Sequence, residues 1–244
     1  MIRKRAFDIL AATLGLLLVS PLLLPVMLAI WLQDFRSPFY IAARVARGGR
    51  RFHMVKFRSM VPNADRIGGS STAGDDRRIT ALGRFVRAYK IDELMQLWNV
   101  LKGDMSLVGP RPQAELDAGL YTDEERAMLS VRPGITDPAS IVFSDEGEVL
   151  HGSPDPDLLY NQIIRPWKSR LALAYIRHRT FCLDLRLIVL TVVAIVSRPV
   201  ALRALGNTLR RWQLDPLVIR MAARQEPLLP YPPPGAARIV AQYP

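Results

Sequence analysis

RFVRAYKIDELMQLWNVLKGDMSLVGPRP, residues 84–112, is the stretch from which the rest of the chain can be read. An adjacent acid pair, Asp92 and Glu93, lies inside a dense set of cations. Arg84, Arg87 and Lys90 precede it, and Lys102 and Arg111 follow. Leu94, Leu97, Trp98 and Leu101 recur at helical spacing, which predicts a helix over about residues 92–102. Gly103 suits the left-handed position just past its end. The acid pair then opens that helix, where backbone N–H groups and the dipole favour an anion. Further on, Pro110 and Pro112 fix the backbone on either side of Arg111 and hold one guanidinium still. An Asp-Glu at a helix start is commonly a cap and a dipole partner. Two carboxylates among fixed cations also suit a phosphate-handling site with a divalent metal.

Composition narrows the classes. The chain has 244 residues, half of them hydrophobic, enough for one medium domain with appendages. Net charge is +11, carried by arginine rather than lysine: of 33 basic residues only Lys4, Lys56, Lys90, Lys102 and Lys168 are lysines. Such a chain seeks anions, whether nucleic acid, an anionic membrane face or phosphorylated substrates. Cys182 stands alone, so no internal disulfide forms, as suits a reducing compartment. His53, His151 and His178 share no ligand spacing, so no zinc site is read.

Residues 9–32 carry no charge. As one helix of about 36 Å they would cross a bilayer. A signal peptide fits the basic start but not the length, and no small-x-small site closes the run. A single-pass anchor is the stronger alternative. Two features favour a third arrangement. Pro21 removes a donor in mid-run, with Pro25 one turn later, which predicts a break at Ser20-Pro21. Both flanks are basic, Arg3, Lys4 and Arg5 before and Arg36, Arg44, Arg47, Arg50 and Arg51 after, which places both on the cytoplasmic side. A re-entrant helix-break-helix over residues 1–36 satisfies both, each limb reaching roughly 18 Å.

Beyond it, residues 39–60 read as a hairpin turning at Gly48-Gly49, and residues 61–78 as a mobile loop. Thr80 caps a short helix, Thr122 with Glu125 forms a capping box for a helix near 123–130, and Pro166 opens another helix. Residues 133–156 look loop-like. Residues 183–196 are too short an apolar run to span and read as a buried or interfacial helix. A basic, proline-rich extension occupies residues 198–244: one helix near 200–223, then an extended or disordered end.

The ordered set Arg87, Asp92-Glu93-Leu94, Gln96, Asn99-Val100-Leu101-Lys102-Gly103-Asp104 and Gly109-Pro110-Arg111-Pro112 resembles the bacterial sugar transferase family, the monotopic phosphoglycosyl transferases. Lys4-Arg5-Phe7-Asp8, Ser20-Pro21, Lys56-Phe57-Arg58-Ser59-Met60, Arg132-Pro133-Gly134-Ile135-Thr136 and Asp184-Leu185 extend the likeness over residues 3–197. The resemblance implies a mostly helical α+β fold: a re-entrant anchor, then a small catalytic domain over residues 37–197 with a β-hairpin and interfacial amphipathic helices. It implies transfer of a sugar 1-phosphate from a UDP-sugar to polyprenyl (undecaprenyl) phosphate with release of UMP, the first step of a cell-surface glycan or exopolysaccharide. Asp92 would be the nucleophile and, with Glu93, would hold Mg²⁺; Arg87, Arg111, Lys56 and Arg58 would hold phosphates. The protein would sit on the cytoplasmic face of a bacterial inner membrane, with lipid, UDP-sugar and polyprenyl phosphate as partners, no nucleic acid, and a homodimer or lipid contact through the tail.

Three positions depart from the family pattern and put the nucleotide- and sugar-contacting loops in question: Arg44-Val45-Ala46, Asp137-Pro138 and Ala172. A competing reading is a membrane-anchored basic module for anionic lipid or nucleic acid, although no recognition-helix pattern supports it. A polytopic transferase or phosphatase would need further long apolar runs.

Overall fold

The protein is described by a computed structural model covering residues 2–243. In chain order its elements are α1 (Ile2–Leu32), β1 (Phe39–Val45), β2 (Arg51–Phe57), α2 (Ala81–Ala88), α3 (Gln96–Lys102), β3 (Ser106–Val108), α4 (Glu115–Gly119), β4 (Gly134–Thr136), α5 (Pro138–Val142), α6 (Glu146–Val149), α7 (Pro156–Leu159), α8 (Arg165–His178), α9 (Phe181–Val196), α10 (Arg198–Arg211) and α11 (Pro216–Ala223). The fold is mostly helical, as expected, with β1 and β2 antiparallel and β3 and β4 parallel.

Local chemistry sets several boundaries as read. Thr80 Oγ1 accepts from the Gly83 N–H and starts α2. Gly48 and Gly49 both take positive φ at the hairpin turn. Gly103 closes α3 at φ 90°. The capping box is present, Thr122 and Glu125 exchanging two bonds of 3.1 Å, but it opens a 3₁₀ segment (Glu125–Ser130) rather than an α-helix. There Glu125 is also drawn inward by Arg165, at 2.5 Å.

Four expectations are corrected. The helix predicted over 92–102 is two pieces, a 3₁₀ turn (Ile91–Glu93) and then α3, because the backbone bonds there reach three residues back rather than four: Leu94 N–H to Ile91 O, Leu97 N–H to Leu94 O and Trp98 N–H to Met95 O. The loop-like stretch 133–156 holds β4, α5 and α6. Its first strand pairs with β3 across Gly109 and Gly134, which touch backbone to backbone: a Cβ on Gly134 would lie 2.1 Å from Gly109 N. The single tail helix is two, parted where Gln213 takes positive φ and Asp215 caps α11. The end of the tail is extended, one of the two forms expected, and is tied to its own chain.

The fourth concerns α1. The expected break is not seen as an interruption: the helix is continuous through Pro21 and Pro25. The carbonyl that Pro21 leaves without a donor, on Leu17, accepts from Ser20 Oγ at 2.8 Å. Both ends of the helix meet the body. Near its start Arg5 donates to the carbonyls of Val100 and Leu101, and Asp8 accepts from Ser106 and the Leu107 N–H. Lys4 reaches Asp184 on α9, which also accepts from Tyr175 Oη. At the far end Ile30 is buried with Phe57, Val86 and Ile91. The outward stripe, with Leu10, Leu14, Leu17, Leu18 and Leu24, is exposed.

The main core lies among α5 and α8–α11, around Trp167, Tyr175, Leu187, Leu205 and Leu209. A second cluster joins the hairpin to α1 and α3 through Ala12, Phe52, Met54, Val100 and Met105. Helix α9 is buried on one face, through Leu183, Leu187 and Leu190, while Val189, Val192 and Ile195 face outward.

Candidate active site

Three devices converge on the acid pair. Lys90 at φ 55° turns the chain so that Ile91 and Asp92 both face inward, and Asp92 is only 5% exposed. Asn99, in the middle of α3, accepts from the Val55 N–H at 2.9 Å and donates to the His53 carbonyl at 2.7 Å. It locks α3 onto β2 and brings Lys56 beside Glu93, with Nζ to Oε1 3.6 Å. Sequence reasoning gave Asn99 no role; a buried amide inside an apolar helical run was the available signal. Third, the β3–β4 crossing holds the Gly-Pro-Arg-Pro turn, since Gly109 N–H donates to Thr136 O and Gly134 N–H to Pro110 O, each at 2.9 Å.

That crossing delivers Arg111. Its guanidinium grips Glu93 with two parallel bonds, Nη1 to Oε2 at 2.8 Å and Nη2 to Oε1 at 2.6 Å, and also donates to the Ile135 carbonyl. Burial works against a charged Glu93, but Arg111 and Lys56 outweigh it and hold the carboxyl well below its usual range. Asp92 goes the other way. Burial and the neighbouring Glu93 raise its pKa, partly offset by Lys56, Arg87 and Lys90. Burial lowers Lys56, opposed by Glu93. Two adjacent carboxylates are thus driven apart: one neutralised by a fixed arginine, the other free among cations.

Lys56, Arg87, Asp92, Glu93 and Arg111 are therefore brought together. Arg58 is not. It clamps Asp34 at 2.5 and 2.6 Å and donates to the Ser37 carbonyl, tying the end of α1 to the hairpin. Sequence reasoning passed over Arg44 as a departure from pattern. It shares one face of the hairpin with Lys56, has no carboxylate partner among the described residues, and lies where the charges of Arg111 and Asp117 both act on it.

The metal expectation meets a sparse donor set. No group of three potential ligands gathers among the described residues. Both Glu93 oxygens are taken by Arg111, whereas Asp92 Oδ1 is buried and unpartnered. Mg²⁺ commonly takes one or two carboxylates and completes its shell with substrate phosphates and water. The site fits an ion of that kind, held by Asp92 and by whatever phosphate binds. Beside Arg111 a cavity runs between Gln113, Asp117, Tyr121, Asp137, Tyr160 and Lys168. Asp137, the residue departing from pattern there, is buried and caps α5 through the Ser140 N–H at 2.7 Å.

A model of the bacterial sugar transferase family matches residues 1–198. An undecaprenyl-phosphate glucose phosphotransferase of Komagataeibacter xylinus is 42% identical over 199 residues, covering 79% of this chain and 35% of that protein. A UDP-N-acetylgalactosamine-undecaprenyl-phosphate N-acetylgalactosaminephosphotransferase of Aeromonas hydrophila is 40% identical over 142 residues, covering 57% and 34%. An uncharacterized sugar transferase of Bacillus subtilis is 36% identical over 192 residues, covering 79% and 86%. The chain thus spans about a third of the length of the first two.

Proposed function

This chain belongs to the bacterial sugar transferase family, and we propose that it moves a sugar 1-phosphate from a UDP-sugar to undecaprenyl phosphate, releasing UMP and starting a surface glycan or exopolysaccharide. One observation carries the reading: a buried carboxylate with a free oxygen, Asp92, lies where the charges of Lys56, Arg87 and Lys90 act on it, while its neighbour Glu93 is neutralised by Arg111. An anionic nucleophile meeting an anionic diphosphate is repelled unless cations screen both, and this cluster supplies them.

Asp92 Oδ attacks the β-phosphorus of the donor. The bond from that phosphorus to the oxygen bridging the two phosphates breaks, and UMP departs with the electron pair. The product is a phosphosugar joined to Asp92 as a mixed anhydride. An oxygen of undecaprenyl phosphate then attacks the same phosphorus, Asp92 leaves as carboxylate, and the polyprenyl diphosphate sugar forms. Arg111, pinned by its two prolines and by Glu93, orients the β-phosphate. Arg87 and Arg44 meet the phosphates from the other elements. Mg²⁺, when bound at Asp92 with the substrate phosphates, would neutralise charge on the diphosphate.

The lipid substrate sets where the domain must sit. We read α1 as dipping into one leaflet and remaining on the cytoplasmic face. Its contacts with the body at both ends, the basic flanks and the exposed leucine stripe all support this over a crossing. The outward face of α9 adds a second apolar surface.

Intact-mass measurement of the full chain with a panel of UDP-sugars and no acceptor tests the chemistry. One donor should leave a phosphosugar adduct on the peptide carrying Asp92. Asp92→Asn should form none and should release UMP roughly a thousandfold more slowly or worse, with an unchanged circular dichroism spectrum. Near-normal release by that variant would remove Asp92 as nucleophile.

A further inference from the structure

Residues beyond 198 lie outside the family match, yet they do not lead away from the site. After α11 the chain doubles back along α8. Trp167 Nε1 donates to the Leu229 carbonyl at 3.0 Å, Arg170 to Pro232 and Gln162 to Val240 at 2.9 Å each, and Thr122 to Pro234 at 2.5 Å. The Tyr231 ring lies 4.7 Å from that of Trp167, with the Arg170 guanidinium 4.7 Å from its centre. Gly235 passes Glu124 at positive φ, where a Cβ would approach to 3.1 Å.

The strap ends on two functional neighbours. Tyr243 Oη donates to Asp117 Oδ1 at 2.7 Å and lies 3.2 Å from Ser70 Oγ. Asp117 lines the cavity beside Arg111. Ser70 sits in the loop 61–78, whose neck closes at the Met60–Ile79 bridge just before α2, the helix carrying Arg87. The same loop is otherwise held to the body by Asp157, through Ser70 Oγ and the Ser71 N–H, and by Gly74 N–H to the Gly147 carbonyl.

We infer that Tyr243 is a positioning residue for the donor side of the reaction: its hydroxyl joins the 61–78 loop to the wall of the Arg111 cavity, so the C-terminal strap sets how that loop stands when a nucleotide sugar binds. The donor half of this rests on the transferase reading; the link between strap and loop does not. The phenol suits the role. It donates to a carboxylate and meets a hydroxyl at once, at the end of a segment anchored mainly through backbone carbonyls and, at Tyr231, through one ring.

Hydrogen exchange on the full chain in lipid nanodiscs tests the link directly. Tyr243→Phe keeps the ring and removes the hydroxyl, and Ser70→Ala removes the other end. Each should raise exchange in peptides covering 62–75 several-fold while α8 and α10 stay protected; Ser70→Ala, which also loses the bond to Asp157, should raise it more, and the double variant should add little to Ser70→Ala. The donor identified by adduct formation should show a KM raised about five- to tenfold in Tyr243→Phe, the size of one hydrogen bond, with kcat within about twofold. Unchanged exchange at 62–75 in a folded Tyr243→Phe protein overturns the inference whatever the activity. Raised exchange with an unaltered donor KM overturns its donor half. A wild-type protein that turns over no UDP-sugar would instead refute the transferase reading and leave the exchange result standing.

Discussion

Residues 84–112 and residues 225–244 are both fastened tightly to the body, but by opposite kinds of group. In the first, side chains reach out and find partners: Arg111 grips Glu93, and Asn99 grips β2. In the second, the segment mainly offers backbone carbonyls, and the side chains that reach for them, Trp167, Arg170, Thr122 and Gln162, belong to the body. Proline explains the second case. It donates no backbone bond and holds the chain extended, so its carbonyls stay open as acceptors. A segment bound through its side chains is specified by its residues; one bound through its carbonyls is specified by its path.

That contrast can be broken most forcefully at Arg111. Arg111→Met leaves Glu93 buried without its two hydrogen bonds and with only Lys56, at 3.6 Å, to offset its charge, which should cost about 3 kcal/mol of stability and about a hundredfold or more in kcat/KM. Chemical denaturation and UMP release measure the two. Arg44→Met, which deprives no carboxylate of a partner, should raise the donor KM with a much smaller change in the denaturation midpoint. Equal destabilisation by both would erase the distinction.

In the strap the expected effects are smaller and uneven. Tyr231→Ala loses the stacking on Trp167 and the contact with Arg170, about 1–3 kcal/mol. Pro232→Ala keeps the carbonyl that Arg170 uses and should stay within about 0.5 kcal/mol. Thermal unfolding of the two variants side by side decides it. A Pro232→Ala loss as large as that of Tyr231→Ala would show that residue identity, not path, holds the strap.

The smallest effect is a shift along the pH axis. As the proposed nucleophile Asp92 must be charged to attack, and burial, with Glu93 beside it, raises its pKa from the usual carboxylate value, so the rate of adduct formation should climb with pH through that raised value. Arg87 stabilises the charged form. Arg87→Gln should therefore move the acid limb to higher pH by a few tenths of a unit to one unit, with the plateau above it less affected. A limb that moves to lower pH would contradict the placement of Arg87. Glu93 has the opposite sign. Its carboxyl lies below the unfolded value, so the stability it contributes is present above pH about 4.5 and fades as the solution is acidified.

What the sequence disclosed follows the same division. The dyad, Arg87, Arg111, Lys56, the hairpin and the Thr80 and Gly103 boundaries could be read because each depends on a residue type at a position. The β3–β4 pairing could not, since strands of three residues carry no period, and only the contact between Gly109 and Gly134 explains why both are glycine. Arg58 misled because its charge suited a phosphate, and nothing local indicates that Asp34, 24 residues away, would claim it. The place of Arg44 beside Lys56 follows from the pairing of β1 with β2, which no single stretch of sequence carries. The strap was opaque for the reason already given: acceptors on the backbone leave no trace in residue identity.

The bond from Lys4 to Asp184 spans 180 positions of the chain. During synthesis, at roughly 5–20 residues per second, the apolar helix α1 emerges about 10–40 s before the α9 carboxylate that fixes its start. Through that interval Lys4 has no carboxylate on α9 to meet. If α1 lies in a leaflet as proposed, the nascent chain then meets lipid before the part of the body that fixes the start of α1 has been made.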